Sequence, residues 1–214
     1  MGSHSESPRR PYRSGRRAET AAETRASVLD AALSLFVEHG YGNITIGDIA
    51  RESGVAVPTV YASTGGKSAI LATLIQRGVD DPVVERTQSA LRAATDPREA
   101  VRIVAHGVRL DNEQHLDIAR VIITASEVDQ EAAVTLGYIV QAYREALSLL
   151  AQRLAELGGL RPDVDQRRAT DMLWFLLGFH SWRLFVIDRG WTWGDTERWL
   201  ADQVAAALLA EHTA

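Results

Sequence analysis

Apolar residues recur along this chain at intervals of three and four, the period of an α-helix, and the strict alternation of a half-buried strand is scarce. The first helix is marked by Thr20-x-x-Glu23, the spacing of a capping box. Val28, Leu29, Ala32, Leu33, Leu35 and Phe36 then share one side. Gly40 ends it, as the left-handed residue that follows a last helical turn. A second start comes at once: Thr45 caps, Asp48 stands three residues on, and Ile44 and Ile49 form a hydrophobic staple. That helix covers about 46–53 and stops at Gly54. Pro58 suits the first turn of the next helix and holds Val57 extended, and Gly65-Gly66 closes it. Two short helices joined by a glycine-containing turn make a helix-turn-helix.

Beyond Lys67 the helices lengthen. The pattern predicts helices near 68–79 and 83–93, one starting at Pro97, and another over 114–127. From 130 to 157, Leu136, Val140, Tyr143, Leu147, Leu150, Leu154 and Leu157 keep an unbroken 4-3-4-3 spacing. Such a helix is about 40 Å long and reads as the central member of a bundle rather than an extended coiled coil. Gly158, Gly159 and Pro162 end it. The last two helices, about 164–188 and 195–211, are joined by the aromatic turn GWTWGD.

The run 172–187, MLWFLLGFHSWRLFVI, is too short for a membrane span and is interrupted by His180 and Arg183. The arginine-rich start has no apolar stretch behind it, so no signal peptide is expected, and the expected location is the cytoplasm. The chain lacks cysteine, which removes disulfides, thiolate nucleophiles and Cys-ligated zinc. No paired nucleophile and base, no metal-ligand spacing and no cofactor motif stands out, so no catalytic residue, metal or cofactor is expected.

Net charge is −5, but unevenly spread. Residues 1–17 hold five arginines and one acid, and residues 18–70 hold three basic against six acidic side chains. The first seventy residues therefore carry +1 and the remainder −6. Affinity for nucleic acid, if present, is local to the amino-terminal part.

The segment 54–67, GVAVPTVYASTGGK, could be read as a strand, a phosphate-binding loop or a groove-reading helix. Pro58 argues against the strand. A phosphate loop needs the GxxxxGK[ST] spacing after a strand, and both are missing. The longer stretch 43–71, NITIGDIARESGVAVPTVYASTGGKSAIL, resembles the amino-terminal domain of TetR-type transcriptional regulators. The matching positions are Thr45, Asp48-Ile49-Ala50, Gly54-Val55, Thr59, Tyr61 and Lys67, and RGWTWGDTERWLADQV (189–204) looks like the tail of a large subgroup. Thr64 departs from the pattern, since members usually carry an aromatic there.

The resemblance implies an all-α fold of about nine helices. A flexible basic arm (1–19) would precede a three-helix DNA-binding head (20–66) and a larger ligand-binding and dimerisation domain (67–214). It implies a homodimer formed through the last two helices, about 164–211, a double-stranded operator, a small-molecule effector and, as the commoner mode, repression. In the head, Pro58 fixes the reading helix and Thr59 offers a hydroxyl and a methyl. Val57 brings apolar contact, and Val60 faces either the groove or the head's own core. Tyr61 reaches a phosphate, and Thr45 presents one with a helix N-terminus. Lys67 opposes its own helix dipole, which suits a nearby DNA phosphate. The reading helix lacks Arg, Asn and Gln, so phosphates and the arm residues Arg16 and Arg17 supply affinity, and DNA shape and thymine methyls supply preference.

For the effector, polar or aromatic residues on apolar helices are the candidates: His106, Arg109, Arg120, Glu127, Tyr138, Trp174 and His180. Each could equally be a packed or paired structural residue. Two other functions stay open: a regulator that needs no ligand, and a helical carrier or enzyme that keeps a vestigial head.

Overall fold

The computed structural model describes residues 12–79 and 82–210, with side chains from 17 to 76 and from 82 onward. Among them the fold is all-helical, and the sole pairing of extended segments is an isolated antiparallel bridge between Leu160 and Leu209. The chain forms two compact units that meet between Leu74 and Ile75.

In the first unit α1 (Tyr12–His39) packs on α2 (Ile46–Glu52) and α3 (Val57–Thr64), and α4 (Lys67–Val79) follows. Val28, Leu29, Ala32, Phe36, Ile49, Val60 and Ile70 are fully enclosed. The staple residues Ile44 and Ile49 are both buried, and Gly40 and Gly54 take the left-handed conformation that the two helix ends require.

Helix α1 begins well before the Thr20 cap that the spacing suggests. Thr20 lies inside it, and its carbonyl accepts from the Thr24 hydroxyl. Residues 16–26 are mostly Arg, Ala, Glu and Thr with no proline, so nothing stops the helix short of Pro11. Helix α3 starts one residue early, and Ala56 takes the extended conformation expected of Val57. Pro58 then occupies the second helical position, where its missing N–H is still one of the unpaired four.

The second unit comprises α5 (Pro82–Ala93), α6 (Pro97–Ser126), α7 (Gln130–Glu156), α8 (Gln166–Leu177), α9 (Phe179–Trp182) and α10 (Trp193–Leu208). Here the structure departs from the patterning in three places. The two helices expected between 97 and 127 are one, because the stretch holds no breaker that forces a stop. Asp96 caps its start by accepting from the Glu99 N–H. This long helix, rather than α7, is central: it packs against α5, α7, α9 and α10.

The helix expected over 164–188 is broken. Gly178 is extended (φ −64°, ψ 156°), and α9 then runs straight into a π-helical segment, Arg183–Asp188. A Cβ at Gly178 would sit 2.4 Å from the Trp174 carbonyl oxygen, so the break depends on glycine. The carbonyl of Leu177, freed at the break, accepts from the Tyr143 hydroxyl (2.9 Å) and the Trp182 indole N–H (3.1 Å).

Candidate nucleic-acid interface and apolar cavity

In the head, α3 is divided cleanly by its own period. Val60 and Thr64 are buried, while Val57, Pro58, Thr59, Tyr61 and Ala62 are exposed. Val60 thus belongs to the core and not to the groove-facing set. Tyr61, 55% exposed, projects an apolar ring with a hydroxyl at its tip. Thr59 and Arg17 line one surface groove of 710 Å³ between α1 and α3, together with Thr20, Thr24, Arg25 and Ser63. The Arg16 side chain, like Arg9, Arg10 and Arg13, lies outside the described residues.

Thr45 caps α2 reciprocally. Its hydroxyl accepts from the Asp48 N–H (3.2 Å), and the Asp48 carboxylate accepts from the Thr45 hydroxyl (2.6 Å) and N–H (3.0 Å). Those bonds, with Arg51 Nη2 at 2.6 Å, hold the Asp48 carboxyl at about 2. Lys67 has an internal cause for its place at the start of α4. Its ammonium donates to the carbonyls of Tyr41 (2.9 Å) and Ile44 (3.0 Å) and lies 4.3 Å from the Tyr41 ring centre. Two of its three donors are therefore engaged by the turn ahead of α2, which answers the unfavourable dipole without any DNA phosphate.

Thr64 stands where the resemblance leads one to expect an aromatic. Its hydroxyl donates back to the Val60 carbonyl at 2.9 Å, and the end of α3 is secured from outside by Arg25. The Arg25 guanidinium, on α1, donates to the Ser63 carbonyl and to Thr73 Oγ1 (3.3 Å). Polar capping thus replaces a packed ring.

The second unit encloses a cavity of 280 Å³, close to the lower end of the roughly 300–1,000 Å³ usual for ligand sites. Aliphatic side chains from α5, α6 and α7 make most of its wall, and Ile75, Tyr143 and Phe179 complete it. None of the seven candidate effector residues lines it. His106 and Arg109 meet on Glu197 of α10, at 3.1 and 2.6 Å, as an ionic clamp between α6 and α10. Arg120 pairs with Asp117, Glu127 caps the end of α6, and Tyr138 is 74% exposed. Trp174 packs edge-on to Tyr143, Phe179 and His180 (5.1–5.5 Å). Partial desolvation of the His180 ring lowers its pKa from the usual value, although the residue as a whole stays exposed.

The polar residues that do line the cavity are Thr87, Gln88, Asp111, Asn112, His115 and Tyr143. Asp111, Asn112 and His115 lie in the run DNEQH, which looks like a solvated helix face. Their one-turn spacing was the available signal. Among the described residues no group of His, Asp and Glu could hold a metal ion, and no helix is long and apolar enough to cross a membrane.

Residues 28–74 match the family model for bacterial regulatory proteins of the tetR family. An uncharacterized HTH-type transcriptional regulator of Mycobacterium tuberculosis is 30% identical over 160 residues, spanning 71% of this chain and 77% of the relative. Among solved structures, NalD is the secondary repressor of the MexAB-OprM multidrug efflux pump of Pseudomonas aeruginosa. It superposes with a TM-score of 0.72 at 23% identity, covering 90% of this chain and 99% of NalD. SmeT, solved with triclosan, gives 0.70 at 20% identity over 89% of this chain and 93% of its own. The fold, the head and the relative agree: the chain belongs to the tetR family of bacterial regulatory proteins, which are DNA-binding transcriptional regulators.

Proposed function

We propose that the protein is a dimeric, effector-responsive repressor whose α3 enters the major groove of a palindromic operator. The observation that carries the reading is the division of α3 into a buried edge, Val60 and Thr64, and an exposed face of Thr59 and Tyr61 that shares a groove wall with Arg17. Thr59 offers its methyl and hydroxyl to a base edge, Tyr61 takes a phosphate, and Arg17 adds charge beside Thr59, whereas the hydroxyl and N–H of Thr45 both donate to Asp48 and leave it no donor for a phosphate.

Dimerisation through α8 and α10 is supported by large apolar side chains left exposed on those elements and the segment between them. Phe175 is 72% exposed, and Leu184, Ile187 and Trp199 are also exposed. A two-fold dimer places two heads on half-sites about 34–36 Å apart. The effector role rests on the apolar cavity, and SmeT with triclosan and NalD as a repressor give the reading precedent. Helix α4 carries the chain from one unit to the next, and Ile75 on it lines the cavity wall. An effector that favours one position of α4 shifts the dimer between spacings that fit and do not fit the operator.

A gel-shift series on DNA from upstream of the protein's own gene tests this. The wild type is expected to shift it, and Thr59→Ala and Tyr61→Ala each to weaken binding by roughly 5- to 100-fold. Lys67→Ala is an unsuitable probe, because its ammonium supports the head's own backbone. Equal shifting by wild type and both variants would refute the assigned face.

A further inference from the structure

The cavity of the second unit has a chemical bias, and what it implies rests on reading that cavity as the effector site. Most of its wall is aliphatic. Asp111 and His115, one turn apart on α6, both face it with side chains only 29% and 18% exposed, and His115 Nδ1 lies 3.2 Å from Asp111 Oδ1. The neighbouring polar groups are already committed to one another. Asn112 Nδ2 donates to the Val108 carbonyl (2.9 Å) and to Tyr143 Oη (3.0 Å), and that hydroxyl donates to the Leu177 carbonyl. What Tyr143 still presents is its ring. Trp174 packs in T-shaped contact with both Tyr143 (5.5 Å) and Phe179 (5.4 Å), two aromatic residues that line the same space. Burial, and next to it the charge of Asp111, push the Tyr143 phenol well above its usual pKa, so the carboxylate acts electrically on the ring's surroundings.

Among the described residues that line the cavity there is no Arg or Lys, and with His115 neutral Asp111 carries the only formal charge. While His115 is neutral, a carboxylate or phosphate ligand would bring a second negative charge into a largely apolar space beside the first, with no described cation to receive it. An ammonium group meets the opposite situation. Asp111 offers an ion pair, and the Tyr143 and Phe179 rings offer their negative faces.

We propose that the effector is an amphiphilic cation: a protonated amine or quaternary ammonium on an aliphatic or aromatic body. Its head lies beside Asp111 and against Tyr143 and Phe179, and its body runs along the aliphatic wall of α5, α6 and α7. Fatty acids and acyl phosphates are the ligands this cavity rejects.

Calorimetric titration of the full-length protein at about pH 8, where an ordinary histidine is neutral, separates the possibilities. The probes are octyltrimethylammonium, decan-1-ol and decanoate, each below its micellar concentration, with wild type and Asp111→Asn. The expected result is that the cation binds the wild type at least about tenfold tighter than the alcohol, and decanoate weakest. Asp111→Asn should cost the cation about tenfold and leave the alcohol within about twofold. Retained alcohol binding also reports that the variant is folded. If the alcohol or decanoate binds the wild type as tightly as the cation, the cationic class is overturned while the effector cavity stands. A cation preference that survives in Asp111→Asn overturns the assignment to this carboxylate. If none of the three binds the wild type, the cavity reading falls as well.

Discussion

Asp48 is only half-buried, and its carboxyl is held down at about 2 because the Thr45 hydroxyl and N–H both donate to it. A carboxyl depressed on folding stabilises the native state above its unfolded pKa, near 3.8, and loses that contribution as pH falls through the folded value near 2. The capping box of α2 therefore persists at pH values where most surface carboxylates are protonated. A carbon-13 titration of the Asp48 carboxyl is expected to give a midpoint near 2 in the wild type, moving toward 3.8 in Thr45→Val. An unchanged midpoint in the variant would show that the hydroxyl is not the main cause. This cap was legible in the sequence because its partners are three residues apart. The roles of Lys67 and Arg25 were not, because their carbonyl partners lie 23, 26 and 38 residues away and only folding brings them together. The same distance hid the reason Thr64 is tolerated at the end of α3.

Apart from the start of α1, which runs past Thr20, element boundaries in the head followed within a residue from punctuation: Gly40, Thr45, Gly54, Pro58 and Gly65 each act on the two or three residues beside them. In the second unit that logic fails at two glycines. Gly107 lies inside α6 and breaks nothing, because the missing side chain makes room for Thr87 of α5: a Cβ there would come 2.1 Å from Thr87 Oγ1. Gly178 breaks a helix with no proline to announce it. Replacing Gly107 by Ala sets two effects against each other. Helix propensity favours Ala by about 1 kcal/mol, and overpacking costs about 1–3 kcal/mol. Thr87 is short, branched and tied by its hydroxyl to the Val83 carbonyl at 2.8 Å, so it cannot swing aside cheaply. Gly107→Ala is accordingly expected to lower the melting temperature by several degrees, measured by calorimetry. A raised melting temperature would mean that α5 yields. The α7 stripe teaches a related lesson. Leu150 and Leu154 are core, but Leu136, Tyr143 and Leu147 of the same 4-3-4-3 row face the cavity. Periodicity marks a face as apolar without saying whether protein or ligand fills it.

At the scale of the molecule, the DNA-binding half was readable because its function lies in one short continuous segment. The cavity gathers residues from Ile75 to Phe179, over five helices, so its polar lining could not be picked out of the sequence, and all seven candidates fell elsewhere. In the proposed function the head binds operator DNA chiefly through phosphates, since α3 supplies Thr, Val and Tyr but no side chain for bidentate base contacts. Fluorescence anisotropy on a labelled duplex from upstream of the protein's own gene, titrated between about 50 and 200 mM salt, measures this directly. With six or more phosphates contacted by the dimer, the expected log–log slope is roughly −5 or steeper, with an affinity loss of about a thousandfold. An affinity that stays level across that range, or no binding at the low-salt end, would contradict it.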